Sequence, residues 1–495
     1  MNPIDLTIFI LYLLGMLGVG FYHLRRNEGA EDYYVGGRQM GATHIGLSVV
    51  ATDVGGGFSI GLGGLGFVMG LSGSWLLFTG LLGAWISAVV LIPRVRRHPG
   101  LTRALTFPDF LKESYNAPVA LVAGIISAIG YLGFTSSQIL AGAKLAEGTF
   151  VFLDRQTALL VMGATAVGYT VLGGFKAVVY TDTIQWIILM VGLTFFGLPI
   201  CYHYVGGWEA IRATLPAEMF SLTAVSPSTF INWMITILPI WFVGMTLYQR
   251  IYACRDEKTA QRAWYLAGLF EWPVMAFLGV ILGLMGRVAA EQGLFAPLGV
   301  QAVGDMDSET GLPMLLRIAL PVGAMGVVLS AYFSAILSTA DSCLMASSGN
   351  VVSDIVGRIT RMPDGVRLLR ISQLVTLALG VVALALAWVM TSVLDLMLYS
   401  YAFMVSGLLV PVLGALFWKR RSSTAAVLAM VVGGTTTVAL AVSGTELPLG
   451  LDPNAFGLAA SAIVFVGTTL WVGRDVRGGA PARPGYSRSE VGTEG

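Results

Sequence analysis

Apolar runs of about 20 residues, long enough to cross the roughly 30 Å hydrocarbon core of a bilayer as a helix, recur from one end of the chain to the other. The pattern predicts thirteen helices, over residues 5–24, 44–71, 73–94, 118–147, 156–173, 178–204, 229–250, 263–286, 317–353, 368–390, 394–418, 423–443 and 455–473. Polar residues gather in short joints between them, and no hydrophilic block is long enough for a soluble enzymatic or signalling domain. The first run follows Asp5 and no Lys or Arg, which predicts a retained helix and not a cleaved signal peptide. The chain reads as one all-α polytopic membrane domain over residues 1–475. A Gly-, Pro-, Ser- and Arg-rich cytoplasmic tail over 476–495 is expected to be disordered.

Four segments break the apolar pattern. In the ninth helix, Ala335, Ser338, Thr339 and Ser342 fall at i, i+3, i+4 and i+7, so one narrow face carries three hydroxyls with Asp341 beside it. Oxygens packed at that spacing suit a small hard cation. The middle of the second helix reads Ala51-Thr52-Asp53-Val54-Gly55-Gly56-Gly57-Phe58. Three successive glycines inside a helix cost about 1 kcal/mol each, and a break there frees backbone groups that must line a cavity or bind something. The seventh helix is interrupted by Pro239. The sixth carries Asp182 about one turn inside its end, where a membrane carboxylate must cap, pair or bind. Two broken helices at corresponding places in helices 2–6 and 7–11 point to inverted five-helix repeats with a site between them.

Composition agrees with this reading. The chain of 495 residues is 56% hydrophobic and only 12% charged, about half the charged share of a soluble protein. The net charge of +1 gives no reason to expect nucleic acid as a partner. The three cysteines, Cys201, Cys254 and Cys343, and the four histidines are scattered without metal-ligand or catalytic spacing, so no enzyme chemistry is expected. With thirteen crossings and the N-terminus outside, most of the 29 lysines and arginines fall in cytoplasmic joints, Arg250 among them. Arg155, Arg212, Arg287 and Arg317 fall outside, and Lys144 is placed near an outer helix end, snorkelling. No Lys or Arg is expected at mid-membrane while Asp53 is, which favours a zwitterion, a cation or a neutral polar solute over a dianion.

At this point the chain resembles the sodium:solute symporter family. Glu31-Asp32-Tyr33-Tyr34-Val35-Gly36-Gly37-Arg38 and Leu105-Thr106-Phe107-Pro108-Asp109-Phe110-Leu111 look like its first two cytoplasmic loops. Gly173-Gly174 through Thr181-Asp182 is similar to its most diagnostic signature, and Ala335 to Ser342 resembles its sodium-site helix. The resemblance implies a leucine-transporter-type fold in the cell (inner) membrane. It has a leading helix (5–24), two inverted repeats (44–204 and 229–418) and two trailing helices (423–473). It also implies a sodium site formed by the carbonyls of Ala51, Val54 and Ala335 with the hydroxyls of Ser338 and Thr339. Positions of a second cation site in some members map to Asp182, Ser338, Asp341 and Ser342. Asp341 departs from the hydroxyl of the best-described versions and either strengthens that site or carries a proton, so one sodium per solute is the expectation.

The pocket the resemblance implies is lined by Asp53, Gly55, Gly56 and Phe58 from the second helix, and by Phe134, Ser137 and Gln138 from the fourth. Trp241 from the seventh adds to it, and Tyr399 and Tyr401 from the eleventh close its outer side. The function this predicts is sodium-driven import of a small polar organic solute by alternating access, with a single chain sufficient. An amino acid or similar zwitterion is favoured by Asp53 over a sugar, a monocarboxylate or a quaternary amine. A solute-binding membrane sensor is the alternative from another class.

Overall fold

A computed structural model of the chain describes residues 3–24, 34–101, 104–150, 154–300, 302–359, 366–419 and 421–472. The expected tail, residues 31–33 of the first loop, and the side chains of Val54, Phe58 and Lys176 lie outside the described residues. Among the described residues every regular element is helical. In order these are α1 (Pro3–Leu24), α2 (Ala42–Met69), α3 (Trp75–Arg96), α4 (Phe107–Ser114), α5 (Ala117–Thr149) and α6 (Arg155–Val191). Then come α7 (Leu198–Tyr204), α8 (Gly207–Thr214), α9 (Pro227–Val243), α10 (Met245–Ala253), α11 (Glu257–Leu269) and α12 (Ala276–Glu291). The chain finishes with α13 (Gly311–Ala319), α14 (Ala324–Gly349), α15 (Val366–Val389), α16 (Val393–Phe417), α17 (Ser423–Ser443) and α18 (Pro453–Val472).

The helices start where the sequence supplies caps. Asn116 accepts from the Val119 amide ahead of α5, Ser226 from Thr229 ahead of α9, Asp256 from Thr259 ahead of α11, and Ser392 from Asp395 ahead of α16. Packing then sorts the helices by depth. The most apolar window of α14 is 94% buried, whereas that of α18 is only 22% buried and leaves the rest of its surface to lipid. Helix α14 is the central post, packed against α1, α2, α5, α6 and α15.

Several predicted boundaries moved. Among the described residues nine helices are long and apolar enough to cross a membrane, ten if the bent pair α9 and α10 is one span, against the thirteen expected. The predicted helices 156–173 and 178–204 run together as α6, a π-helical turn (Gly192–Gly197) and α7. The ninth predicted helix begins later, because Leu320 is extended and precedes Pro321, leaving α13 as a separate short helix.

The seventh helix bends by 41°, but not at Pro239. That proline lies within α9, and the chain leaves helical geometry at Gly244 (φ −68°, ψ 117°). Proline removes the amide that would bond to Ile235 O. Asn454 of α18 donates to that carbonyl instead at 3.0 Å, so the helix survives its proline. An unexpected interruption lies between α11 and α12, where Trp272 is extended (φ −137°, ψ 126°) ahead of Pro273.

Lys144 does not snorkel. It is 2% exposed and bonds to Asp307 and Glu309, each at 2.5 Å, and Glu309 also accepts from the amides of Val393 and Leu394 at the start of α16.

Candidate sodium and substrate site

Helix α2 is interrupted where its glycines fall: Gly55 has φ 5° and ψ −161° inside an otherwise helical run. In an unbroken helix the Gly56 amide would bond to Thr52 O. Here it donates to Gln138 Oε1 of α5 at 2.7 Å. The interruption faces α14. Thr339 Oγ1 donates within reach of two carbonyls, Ala51 O at 3.0 Å on α2 and Ala335 O at 3.1 Å on its own helix. Only glycine permits this approach, because a Cβ on Gly55 would lie 2.2 Å from Thr339 Oγ1, and one on Gly56 would lie 2.6 Å from Ile336 Cγ1. Two carbonyl oxygens and a hydroxyl thus converge where two helices meet, and these are the neutral oxygen ligands a hard monovalent cation takes.

Beside this cluster lies a group of buried polar and aromatic side chains. Tyr401 of α16 donates to Asp53 Oδ1 at 3.4 Å and stacks edge-on against Phe134 of α5, with centroids 5.0 Å apart. Ser137 bonds to Phe134 O at 2.7 Å and accepts from Gln138 Nε2 at 3.2 Å. Asp53, Gly56, Phe134, Ser137, Gln138 and Tyr401 are therefore brought together. Two others stand apart. Tyr399, two residues from Tyr401 and so on the opposite face of α16, is 57% exposed and lines a separate cleft with Asp395 and Asp452. Trp241 is fully buried and packs against Trp264 at 6.3 Å and against Gly83 of α3.

A second cluster lies farther along α14. Asp182 Oδ2 accepts from Ser48 Oγ at 2.5 Å and from Arg250 Nη2 at 3.2 Å. Arg250 also donates to Thr52 Oγ1 at 2.5 Å, Ser342 Oγ at 3.0 Å and Ser48 Oγ at 3.0 Å. Asp341 Oδ1 accepts from Thr170 Oγ1 at 2.5 Å. Asp182 Oδ1 and Asp341 Oδ2 have no partner among the described residues, and Ser338 Oγ faces Asp182 without making a hydrogen bond. Arg250 corrects two expectations. It is completely buried, not a loop residue, and it places a guanidinium inside the helix bundle where no basic group was expected.

The residues that form these clusters lie within a stretch, 33–433, that matches the model of the sodium:solute symporter family. The chain belongs to that family. The high-affinity proline transporter PutP of Bacillus subtilis (strain 168) is 28% identical over 443 residues, covering 87% of this chain and 90% of the relative. The sodium/proline symporter of Escherichia coli (strain K12) is 26% identical, covering 88% and 87%. Among solved structures, a substrate-bound, outward-open sodium-coupled sialic acid symporter aligns with a TM-score of 0.79 at 21% identity, covering 95% of this chain and 98% of that one. The nucleobase-cation-symport-1 family transporter Mhp1 aligns with a TM-score of 0.58 at 14% identity, covering 90% and 95%. The fold is accordingly of the leucine-transporter type. As a sodium:solute symporter the chain couples sodium to the import of a small solute, in a family of transporters and not enzymes.

In this sodium:solute symporter one buried acid escaped the sequence reading. Glu271, fully buried at the interruption between α11 and α12, sets its carboxyl directly against that of Asp53. The signal was present, since an acidic residue two positions before Pro273 in an apolar span is a functional candidate by the argument already used for Asp182.

Proposed function

We propose that this symporter imports a zwitterionic amino acid of the proline type, one sodium ion accompanying each solute molecule. The observation that carries the reading is the Thr339 hydroxyl joining the Ala51 and Ala335 carbonyls across the interruption of α2, two residues from buried Asp53. Sodium is held there by the carbonyls of Ala51, Val54 and Ala335 and by Ser338 and Thr339. The solute sits beside it among Asp53, Gly55, Gly56, Phe134, Ser137, Gln138 and Tyr401. The relatives named for proline transport support the solute class.

The second cluster, Asp182, Ser338, Asp341 and Ser342, is a weaker cation site in this conformation, because Arg250 already brings a positive charge to Asp182 and Ser342. That supports a single sodium. Thirteen crossings remain our reading: α6 alone has 37 residues, about 55 Å of rise, more than one crossing of roughly 30 Å of hydrocarbon needs. The repeats then run over 44–204 and 229–418, with the N-terminus outside and the C-terminus in the cytoplasm, and one chain is sufficient for transport.

The test is thermal unfolding of the purified protein in sodium or potassium chloride, with and without L-proline. Sodium should raise the midpoint, and proline should raise it further only when sodium is present. Identical curves in the two salts, with no response to proline, would contradict the proposal.

A further inference from the structure

The interruption between α11 and α12 puts a carboxylate where the apolar sequence gives no reason for one. Trp272 leaves helical geometry, and the π-helical segment Phe270–Met275 packs against α2 and α3. Glu271 Oε2 occupies the space a side chain on Gly80 would need, since a Cβ there would lie 2.2 Å away. Both Glu271 oxygens and Asp53 Oδ2 are buried without a hydrogen-bond donor among the described residues. Among the described residues no Lys or Arg bonds to either carboxyl, and the guanidinium of Arg250 is engaged with Asp182. Two facing carboxylates in such a place are strongly unfavourable unless a cation or a shared proton joins them.

We propose that Glu271, together with Asp53, receives the positively charged nitrogen of the transported solute and so sets its selectivity for ammonium-bearing molecules. The inference rests on the symport reading above and specifies the recognition it requires. Charge balance is consistent with it: the sodium ion at Ala51, Ala335 and Thr339 and the solute nitrogen bring two positive charges to the two carboxylates, and a proton shared by the carboxyl pair offsets the zwitterion's own carboxylate. The surroundings favour an organic ammonium over a further sodium ion. Sodium takes several oxygens, whereas the aromatic Tyr401–Phe134 pair borders the Asp53 side. Aromatic faces accept an ammonium group readily.

The test compares L-proline with tetrahydrofuran-2-carboxylate, the same ring with an ether oxygen in place of the charged nitrogen, by the affinity of the full-length protein for each, read from thermal stabilisation in sodium and in potassium chloride. The wild type should prefer proline by at least about tenfold. Glu271→Gln should lose most of that preference, while the sodium concentration giving half-maximal thermal stabilisation stays within about twofold of wild type. A merely structural role for Glu271 would weaken both ligands alike. An unchanged preference in Glu271→Gln overturns the proposal, as does a wild type that binds the ether as well as proline. If the Gln variant does not fold, Glu271→Asp decides: its shorter side chain should reduce the preference by about threefold or more, and an unaltered preference counts against the assignment. The symport reading fails separately, through loss of the sodium response in wild type while the proline preference persists.

Discussion

Thr339 stands at the centre of the proposed sodium site. Its hydroxyl reaches a carbonyl of α2 and a carbonyl of α14, so replacing it removes a ligand and the polar link across the interruption. Thr339→Ala should raise the sodium concentration for half-maximal transport roughly tenfold, about 1.4 kcal/mol. Sodium titration of uptake at fixed solute checks this, and an unshifted midpoint removes Thr339 from the site. Residues of this kind were legible because their signal is local: hydroxyls at helical spacing, and an acid before three glycines. Glu271 was passed over although its signal, an acid ahead of Pro273 in an apolar span, is local, whereas Arg250 was misread because its signal is not. Arg250 lies at the end of a predicted helix, where an arginine ordinarily reaches outward to water. Its inward turn depends on Ser48, Thr52, Asp182 and Ser342, contributed by three other helices.

Among the elements, α2 and α9 illustrate what a break requires. Both carry residues that disfavour helix, yet only one breaks at the residue the sequence marks. At Gly55 the displaced Gly56 amide finds Gln138, and the missing side chain admits Thr339. At Pro239 the orphaned Ile235 carbonyl finds Asn454, and helix is kept until Gly244. A breaker therefore predicts strain, and the partner that relieves it, distant in sequence, decides the geometry. Gly55→Ala should part α2 from α14, because its Cβ would lie 2.2 Å from Thr339 Oγ1. The expected loss is about 1–3 kcal/mol of stability together with a weaker response to sodium. Thermal unfolding in sodium and potassium chloride reads both effects. A variant with wild-type curves in both salts would show that the close approach is unimportant.

At the scale of the whole molecule, the class was plain from the apolar periodicity and the low charge, and the matched stretch of 33–433 agrees with it. Helix ends were the least readable part, as in α6, where a continuous helix covers two predicted ones. Hydropathy reports which residues tolerate lipid and says little about where a buried chain turns. What the assembled molecule adds is placement. Central α14 brings its hydroxyl face to the interruption of α2, α5 supplies Gln138 to one freed amide, and α16 supplies Tyr401 to Asp53. In the proposed reading sodium and solute share that one place, which makes the binding of each favour the other.

The central claim is that a sodium gradient drives the solute through this site. Its most direct test is uptake of labelled L-proline into liposomes containing the purified protein, with an inward sodium gradient compared with an equal potassium gradient. The account predicts transient accumulation above the external concentration with sodium alone, abolished when the gradient is collapsed. Equal, non-concentrative entry under both gradients would contradict it.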